Sequence, residues 1–504
     1  MTAPDEVRSD VDTGMDGIPL GDLGLMVPVA PTSDTTDEIS PPARLSAGPA
    51  AFRSPPDPGL IARNARTRLA IDRLIAEIDR ALSDQVDAIL HHPKFQRLEA
   101  SWRGLIWIVR AADGVKGVRV RILNMTWNEV TRDIDRALEF DQSMLFDKIY
   151  TQEFDTPGGT PYGMIIGDYE VTKHPRDIAT LRGLAGVVAS AHAPMVMGCA
   201  ASLFGLDGFR ELTPTIDLSG IFERGEFSGW RQMRASSEDM RYLGGVLPRV
   251  VLRLPWRSDG GQAEGFVYDE TTHERDARGW LWGSAAYALG VVVLRSYATY
   301  SWFVDIRGAG RDLPGGGLVD DMPVPWYRTD RVGVGSRLPV EVALSDRQEK
   351  ELSDLGFIPL VPARLTPFAV FHSNQSAWLA PRYDKPAARV NARLSSMLQQ
   401  VLCASRFAHF IKVMARDEVG SFRTATEIRR KLVDWIGQYC QRNDQASLEV
   451  KARFPLREAE IDVKELPSRP GSFTLVVRLQ PQFQLDEIGA SFNLVSTVRT
   501  REAA

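Results

Sequence analysis

Apolar and polar positions along this chain fall into long blocks with clear periods. In "LAIDRLIAEIDRALSDQVDAILHHP", Ile71, Leu74, Ile75, Ile78, Leu82, Val86, Ile89 and Leu90 recur at helical spacing until Pro93 stops the run. One apolar stripe on a long helix requires something to pack against. "VRVRILNM" then reads as a strand, and "TWNEVTRDIDRALEF" as a helix opened by a capping box of Thr126 and Glu129. "YGMIIGDYE" reads as a buried strand, "PRDIATLRGLAGVVASAHA" as a helix and "PMVMGCA" as another strand. This β-α-β-α-β order predicts a parallel sheet with helical crossovers. A second such stretch runs from "LPRVVLRLP" through "LWGSAAYALGVVVLRSYATY" to "WFVDIRG".

The C-terminal pattern differs. "VNARLSSMLQQVLCASRFAHFIKVMARDEVG" predicts one helix with Leu394, Met397, Leu398, Val401 and Leu402 in register, and "TATEIRRKLVDWIGQYC" a second, capped by Thr424 with Glu427. Two alternating strands close the chain, one carrying Phe473, Leu475, Val477 and Leu479, the other Ile488, Ala490, Phe492 and Leu494. With "AEIDVKE" this makes about three strands, few for a stable sheet. The pattern predicts a sheet completed by another chain.

Composition adds a domain count and a compartment. A chain of 504 residues exceeds what one core holds, so two domains or more are expected. Apolar content of 44% and charged content of 25% are those of an ordinary globular protein, and no apolar run reaches the roughly 18 residues of a membrane helix. The N-terminus has no secretory pattern, and Cys199, Cys403 and Cys440 are too scattered for a disulfide framework, so a reduced, cytoplasmic protein is expected. Residues 1–60 hold ten of the 31 prolines, and nine acids face the single base Arg8 through position 40. Such a segment reads as a disordered or extended arm. Its apolar island, "MDGIPLGDLGLMVPVAP", suits either docking or collapse onto the protein's own surface. The formal charge of −5 is unevenly shared, with a net +4 on residues 390–504 and −9 on the rest.

Chemistry is harder to find. Gly308, Gly310, Gly315, Gly316 and Gly317 crowd into "IRGAGRDLPGGGLVDDMPV", but Pro314 interrupts, Asp320 and Asp321 follow, and no helix can start there. A connecting loop is expected rather than a phosphate site. His91 and His92 are neighbours that diverge on a helix, which suits capping better than metal ligation. Asp168, Glu170 and His174 lie at and just past a predicted strand end, where α/β enzymes often keep catalytic groups, and they define an enzyme alternative without a nucleophile motif. Arg423, Arg429, Arg430 and Lys431 cluster on or beside a helix, but Phe422 and Trp435 are too few to stack nucleic-acid bases.

The blocks "DQVDAILHHPKFQRLEASWRGL", "PYGMIIGDYE", "SSEDMRYLGGVLPRVVLRLPW", "WLWGSAAYALG", "DRQEKELSDLGFIPL", "SRFAHFIKVMARDEVGSF" and "QPQFQLDEIGASFNLVS" resemble, in order, the large contractile sheath subunit of the bacterial type VI secretion system, the TssC/VipB family. The resemblance covers about residues 66–498. It implies a mixed α/β, multi-domain, tail-sheath-like fold: an arm over 1–60, an outer and middle domain over 61–388, and an inner-layer domain over 389–504 completed by strands from neighbouring subunits. Phe473, Leu475, Val477, Leu479, Ile488, Phe492 and Leu494 would then serve inter-subunit strand exchange, and Arg423, Arg429, Arg430 and Lys431 would face an acidic inner tube. The implied partners are a small sheath subunit (TssB/VipA-like), further copies of the chain, an inner tube protein (Hcp-like), a baseplate and an AAA+ disassembly ATPase (ClpV-like). No cofactor, catalytic site, nucleic acid or membrane insertion is implied. The chain departs from the family pattern at "RDLP" and "MPVPW", at "QPQFQL", and in its acidic arm, which does not resemble the short helix that engages the ATPase in some members.

Overall fold

The computed structural model describes residues 58–258, 266–272, 279–309, 315–324, 338–363, 366–381, 383–417, 425–443, 446–465, 473–482 and 492–498. Residues 1–57 of the arm with its apolar island, Arg423, Thr424 and Ile488 lie outside these residues, whereas residues 58–60 of the expected arm are helical. The chain divides into two units, Met1–Ile71 and Asp72–Ala504. Of the first, residues 58–71 are described and form the opening turns of α1 (Pro58–Leu90).

Pro93 ends α1 as its fixed φ and missing N–H require, and itself starts α2 (Pro93–Ala112), with His92 as the cap: its Nδ1 accepts from the Lys94 N–H at 3.3 Å. α3 (Trp127–Arg136) carries the expected capping box of Thr126 and Glu129. The sheet strands are β1 (Ile165–Val171), β2 (Met195–Cys199), β3 (Leu243–Leu247), β6 (Leu318–Val319), β7 (Phe357–Pro362) and β8 (Ala369–Phe371), in the order β1-β2-β3-β7-β8-β6. β1, β2, β3 and β7 run parallel, while β8 is antiparallel to both β7 and β6. β2 and β3 are buried at every position, as continuous apolar strands must be when helices cover both faces. The crossover helix Pro175–Ser190 joins Leu181, Leu184 and Val188 to Met195, Met197, Leu243 and Phe357 in one core cluster. Helix Ala285–Tyr300 joins Ala288, Leu289 and Val292 to Val196, Val246 and Ile358 in another.

Three expectations fail locally. "VRVRILNM" joins no strand, and residues 119–124 are exposed, because a strand exists only against a paired edge and no described strand pairs with it. In the second predicted β-α-β stretch, β4 (Val250–Arg253) instead pairs antiparallel with β5 (Leu281–Gly283). Trp302, Phe303, Val304 and Ile306 of "WFVDIRG" are buried without joining a ladder. There the glycine segment docks on β8: Gly308 N–H donates to the Phe371 carbonyl at 2.8 Å and Phe371 N–H to the Gly317 carbonyl at 2.9 Å. A Cβ on Gly317 would lie 2.2 Å from that Phe371 carbonyl oxygen, so close backbone approach explains this glycine. Finally, the single helix expected from 390 onward is two, Pro386–Ser395 and Leu398–Asp417. Ser395 Oγ and Ser396 Oγ bond back to the carbonyls of Ala392 and Arg393 at 2.8 and 2.7 Å, competing with the helix ladder where it breaks.

Beyond the break, helix Ala425–Gly437 packs Leu432 and Ile436 into the same cluster as Val292 and Phe371, together with Phe407, Ile461, Leu475, Val477 and Leu479. The last three strands, β9 (Leu456–Glu465), β10 (Phe473–Pro481) and β11 (Phe492–Val498), form an antiparallel sheet in the order β11-β10-β9.

Candidate functional site

The residues of the enzyme alternative have structural occupations. Asp168, on β1, accepts from Ser101 Oγ and bonds Tyr287, whose phenol is raised by burial and then by that carboxylate. Glu170 lies 4.0 Å from Arg249, which also holds Glu341 through two bonds of 2.8 Å. His174 caps helix Pro175–Ser190, its Nδ1 accepting from the Arg176 N–H at 3.2 Å. None of these three lines the apolar cavity of about 20 Å³ beside Cys199, Trp230 and Met233, or the open groove beside Glu129, Arg132 and Arg136. Among the described residues, no group of three His, Cys, Asp or Glu side chains is placed to hold a metal ion. Asp321 accepts from Trp107 Nε1 at 2.6 Å and Asp320 lies 3.8 Å from Arg295, so both acids after the glycine segment serve local contacts.

What remains conspicuous is surface made of the wrong residues. Leu74, Ile75, Ile78, Leu82 and Ile89, the stripe that periodicity sends to a core, are exposed, Ile78 by 58%. α2 continues the pattern. Ala100, Gly104 and Ile108 are buried, with Gly104 against the Tyr287 ring, while Phe95, Leu98, Trp102, Ile106 and Val109 are exposed. Ile122 and Leu123 of the unpaired segment add to the exposed apolar surface. Isolated exposed apolar residues are ordinary, but stripes at helical spacing mark interaction surfaces. The second stripe of α2 escaped the sequence reading although "KFQRLEASWRGLIWIV" contains it: positions 95, 98, 102, 106 and 109 recur at intervals of three and four.

Charge fixes the end of α1 in place. Asp87 accepts from Tyr268 Oη at 2.6 Å and from Thr271 N–H at 3.2 Å, and His91 Nε2 lies 3.2 Å from Glu270. Glu270 also pairs with Arg253, which bonds Glu99 at 2.7 Å. Burial pushes the Glu270 carboxyl up, but the Arg253 guanidinium and the Trp256 N–H outweigh it and hold it below its ordinary value.

The C-terminal sheet offers a second surface. β10 is its central strand, so Leu475, Val477 and Leu479 are buried in the chain's own core, and Phe473, Phe492 and Leu494 belong to the β10–β11 ladder, opposite Val498, Leu479 and Val477. Backbone direction follows from the register. Leu456 donates to the Tyr439 carbonyl at 3.2 Å and accepts from Gln441 N–H at 2.8 Å, so its polar groups point away from β10, and so do those of its opposite, Pro481, from β9. Alternation along β10 then turns Val477 toward Leu494 on β11. Asn493, Val495 and Thr497 therefore direct their N–H and C=O groups outward, along an edge that no other described strand covers. Of the basic cluster, Arg430 and Lys431 are exposed on helix Ala425–Gly437, whereas Arg429 Nε donates to the Ile461 carbonyl at 2.8 Å.

A filled core, bare apolar helices and a sheet edge that no other described strand covers are features that suit a subunit of an assembly. Family models match it on both sides of residue 380: "EvpB/VC_A0108, tail sheath N-terminal domain" over residues 72–378, and "EvpB/VC_A0108, tail sheath gpW/gp25-like domain" over residues 387–498. The chain belongs to this VipB family, the large contractile-sheath subunit of type VI secretion systems. It is 36% identical over 438 residues to the type VI secretion system sheath protein TssC1 of Pseudomonas aeruginosa, covering 86% of this chain and 87% of that one. A sheath tail protein from Desulfitobacterium hafniense aligns at 7% identity and a TM-score of 0.28, over 63% of this chain and 60% of that one. A chain of the anti-feeding prophage baseplate aligns at 9% identity and a TM-score of 0.31, over 77% of this chain and 81% of that one.

Proposed function

We propose that this subunit takes a small sheath subunit (TssB/VipA-like) on the exposed face of α1 and α2 and polymerises with it around an Hcp-like inner tube, starting from a baseplate. Contraction of that polymer drives the tube out of the cell. The observation that carries the reading is the bare stripe from Leu74 to Ile89, continued by Phe95, Leu98, Trp102 and Ile106. A helix from a partner buries such a stripe at about 25 cal/mol per Å² of apolar area removed from water. No chemical step is assigned to the chain. It works in the bacterial cytoplasm, and a ClpV-like ATPase recycles the contracted polymer.

Residues 389–504 form the inner layer of the sheath, inside the body built by 61–388. Neighbouring subunits are joined by an extended strand added to the outer edge of β11 along Asn493, Val495 and Thr497. Arg430 and Lys431, with Arg423, face an acidic tube surface. Co-expression with the small sheath subunit followed by negative-stain electron microscopy tests the whole reading. Hollow tubules are the expected product. Discrete particles that leave the small subunit unbound would overturn it.

A further inference from the structure

We propose that Arg429 selects the edge of the C-terminal sheet that accepts a strand, by closing the β9 side and leaving the β11 edge, which no other described strand covers, to take it. This inference rests on the strand-addition reading above. A three-stranded sheet has two edges, each a row of unpaired backbone groups, and a subunit that accepted strands on both would branch instead of building one lattice. β9 begins closed, because Tyr439 and Gln441 satisfy both polar groups of Leu456.

The alternation that turns Asn493, Val495 and Thr497 outward on β11 also turns Ile461 outward on β9, opposite Val477. At that position the Arg429 guanidinium sits on the carbonyl an incoming strand would need, at 2.8 Å. Its helix is held in place by the buried side chains of Leu432 and Ile436. Past Ile461 only Val463 and Glu465 remain outward on β9, too short a run for a stable strand. An incoming strand would have to take this carbonyl from a charge-assisted hydrogen bond. β11, by contrast, pairs with β10 alone among the described strands. Arg429 is thus a specificity residue for assembly, separate from the cations at 430 and 431.

Proline is tolerated where a strand's N–H points off the sheet edge, so it removes one outward donor and leaves the inner ladder intact. Three variants of the co-expressed two-subunit complex are compared by light scattering and negative-stain microscopy. Val495→Pro alone is expected to leave discrete complexes without tubules. Adding Arg429→Met opens the β9 edge, and particles of at least ten-fold larger mass should form as concentration rises. Adding Val463→Pro to that pair should return the complexes to the discrete state. Discrete particles from Arg429→Met with Val495→Pro would overturn the role of Arg429, as would large particles that persist after Val463→Pro, since these reflect unspecific association. Tubules from Val495→Pro alone would instead overturn the strand-addition reading itself.

Discussion

The six-stranded sheet and the three-stranded sheet draw on the same apolar residues, and the difference lies in how each is bounded. The larger is covered on both faces by the chain's own helices, and Phe357 at its centre is fully buried, stacked on Trp230 at 4.9 Å and tilted against Phe204 at 5.0 Å. The smaller is covered on one face: Ile461, Leu475, Val477 and Leu479 point into the core, while Glu458, Glu460, Asp462 and Lys464 point to solvent. Two ion pairs, Arg478 with Glu460 at 3.0 Å and Arg442 with Glu458 at 2.9 Å, lie on that outer face. Residues of both sheets share one core cluster. The smaller sheet, with the α1–α2 face, is where the proposed function places binding.

Mutations separate the two. Phe357→Ala empties the best-packed site in the larger sheet and should lower stability by about 3–5 kcal/mol, read from denaturant midpoints. A loss below about 1 kcal/mol would mean the site collapses around the gap. Ile78→Asp should do the reverse: the lone chain keeps its unfolding midpoint, while affinity for the small subunit falls by about a hundred-fold, the equivalent of about 2.7 kcal/mol. Unchanged binding in titration calorimetry would exclude α1 from the interface. Reversing charge at Arg430 and Lys431 should release the tube from assembled sheaths without disturbing sheath pairing, and undiminished tube retention would refute their assignment.

The smallest effect concerns the seam between the two family segments. His409 Nε2 donates to the Ala191 carbonyl at 2.9 Å, and His192 Nδ1 bonds Tyr242 Oη at 2.9 Å. Burial, reinforced by neighbouring cationic groups, depresses these imidazoles to about 4 and about 3 from an ordinary 6.5. Between pH 6.5 and about 4 the unfolded chain binds protons that the folded chain refuses, so stability falls as pH falls through that window. His409→Gln keeps a donor and removes the titration, so its unfolding midpoint should fall less than the parent's between pH 7 and pH 5. Equal falls would remove His409 from the account.

Much of this architecture was legible in the residues. β1, β2 and helix Pro175–Ser190 were readable because long apolar runs carry their own punctuation, here Gly163 and the Pro175 start. The family was legible from collinear blocks, and the three strands of the terminal sheet from their alternation. The break at Ser396 was not legible, because Leu394, Met397, Leu398 and Val401 keep a helical period straight through it. "VRVRILNM" misled for a different reason: its alternation states a preference for strand, but a strand also needs an edge to pair with. Arg429 was read only as charge. Its bond to the Ile461 carbonyl depends on how a helix and a strand 32 residues apart are brought together, and no local pattern encodes that.

Residue-resolved amide hydrogen exchange on the two-subunit complex, before and after assembly into tubules, tests the central claim most directly. The account predicts that the amides of Asn493, Val495 and Thr497 exchange freely in the complex and become strongly protected in the tubule, while those of Leu494 and Ser496, already bonded to β10, change little. Tubules in which the three outward amides exchange as fast as before would contradict it.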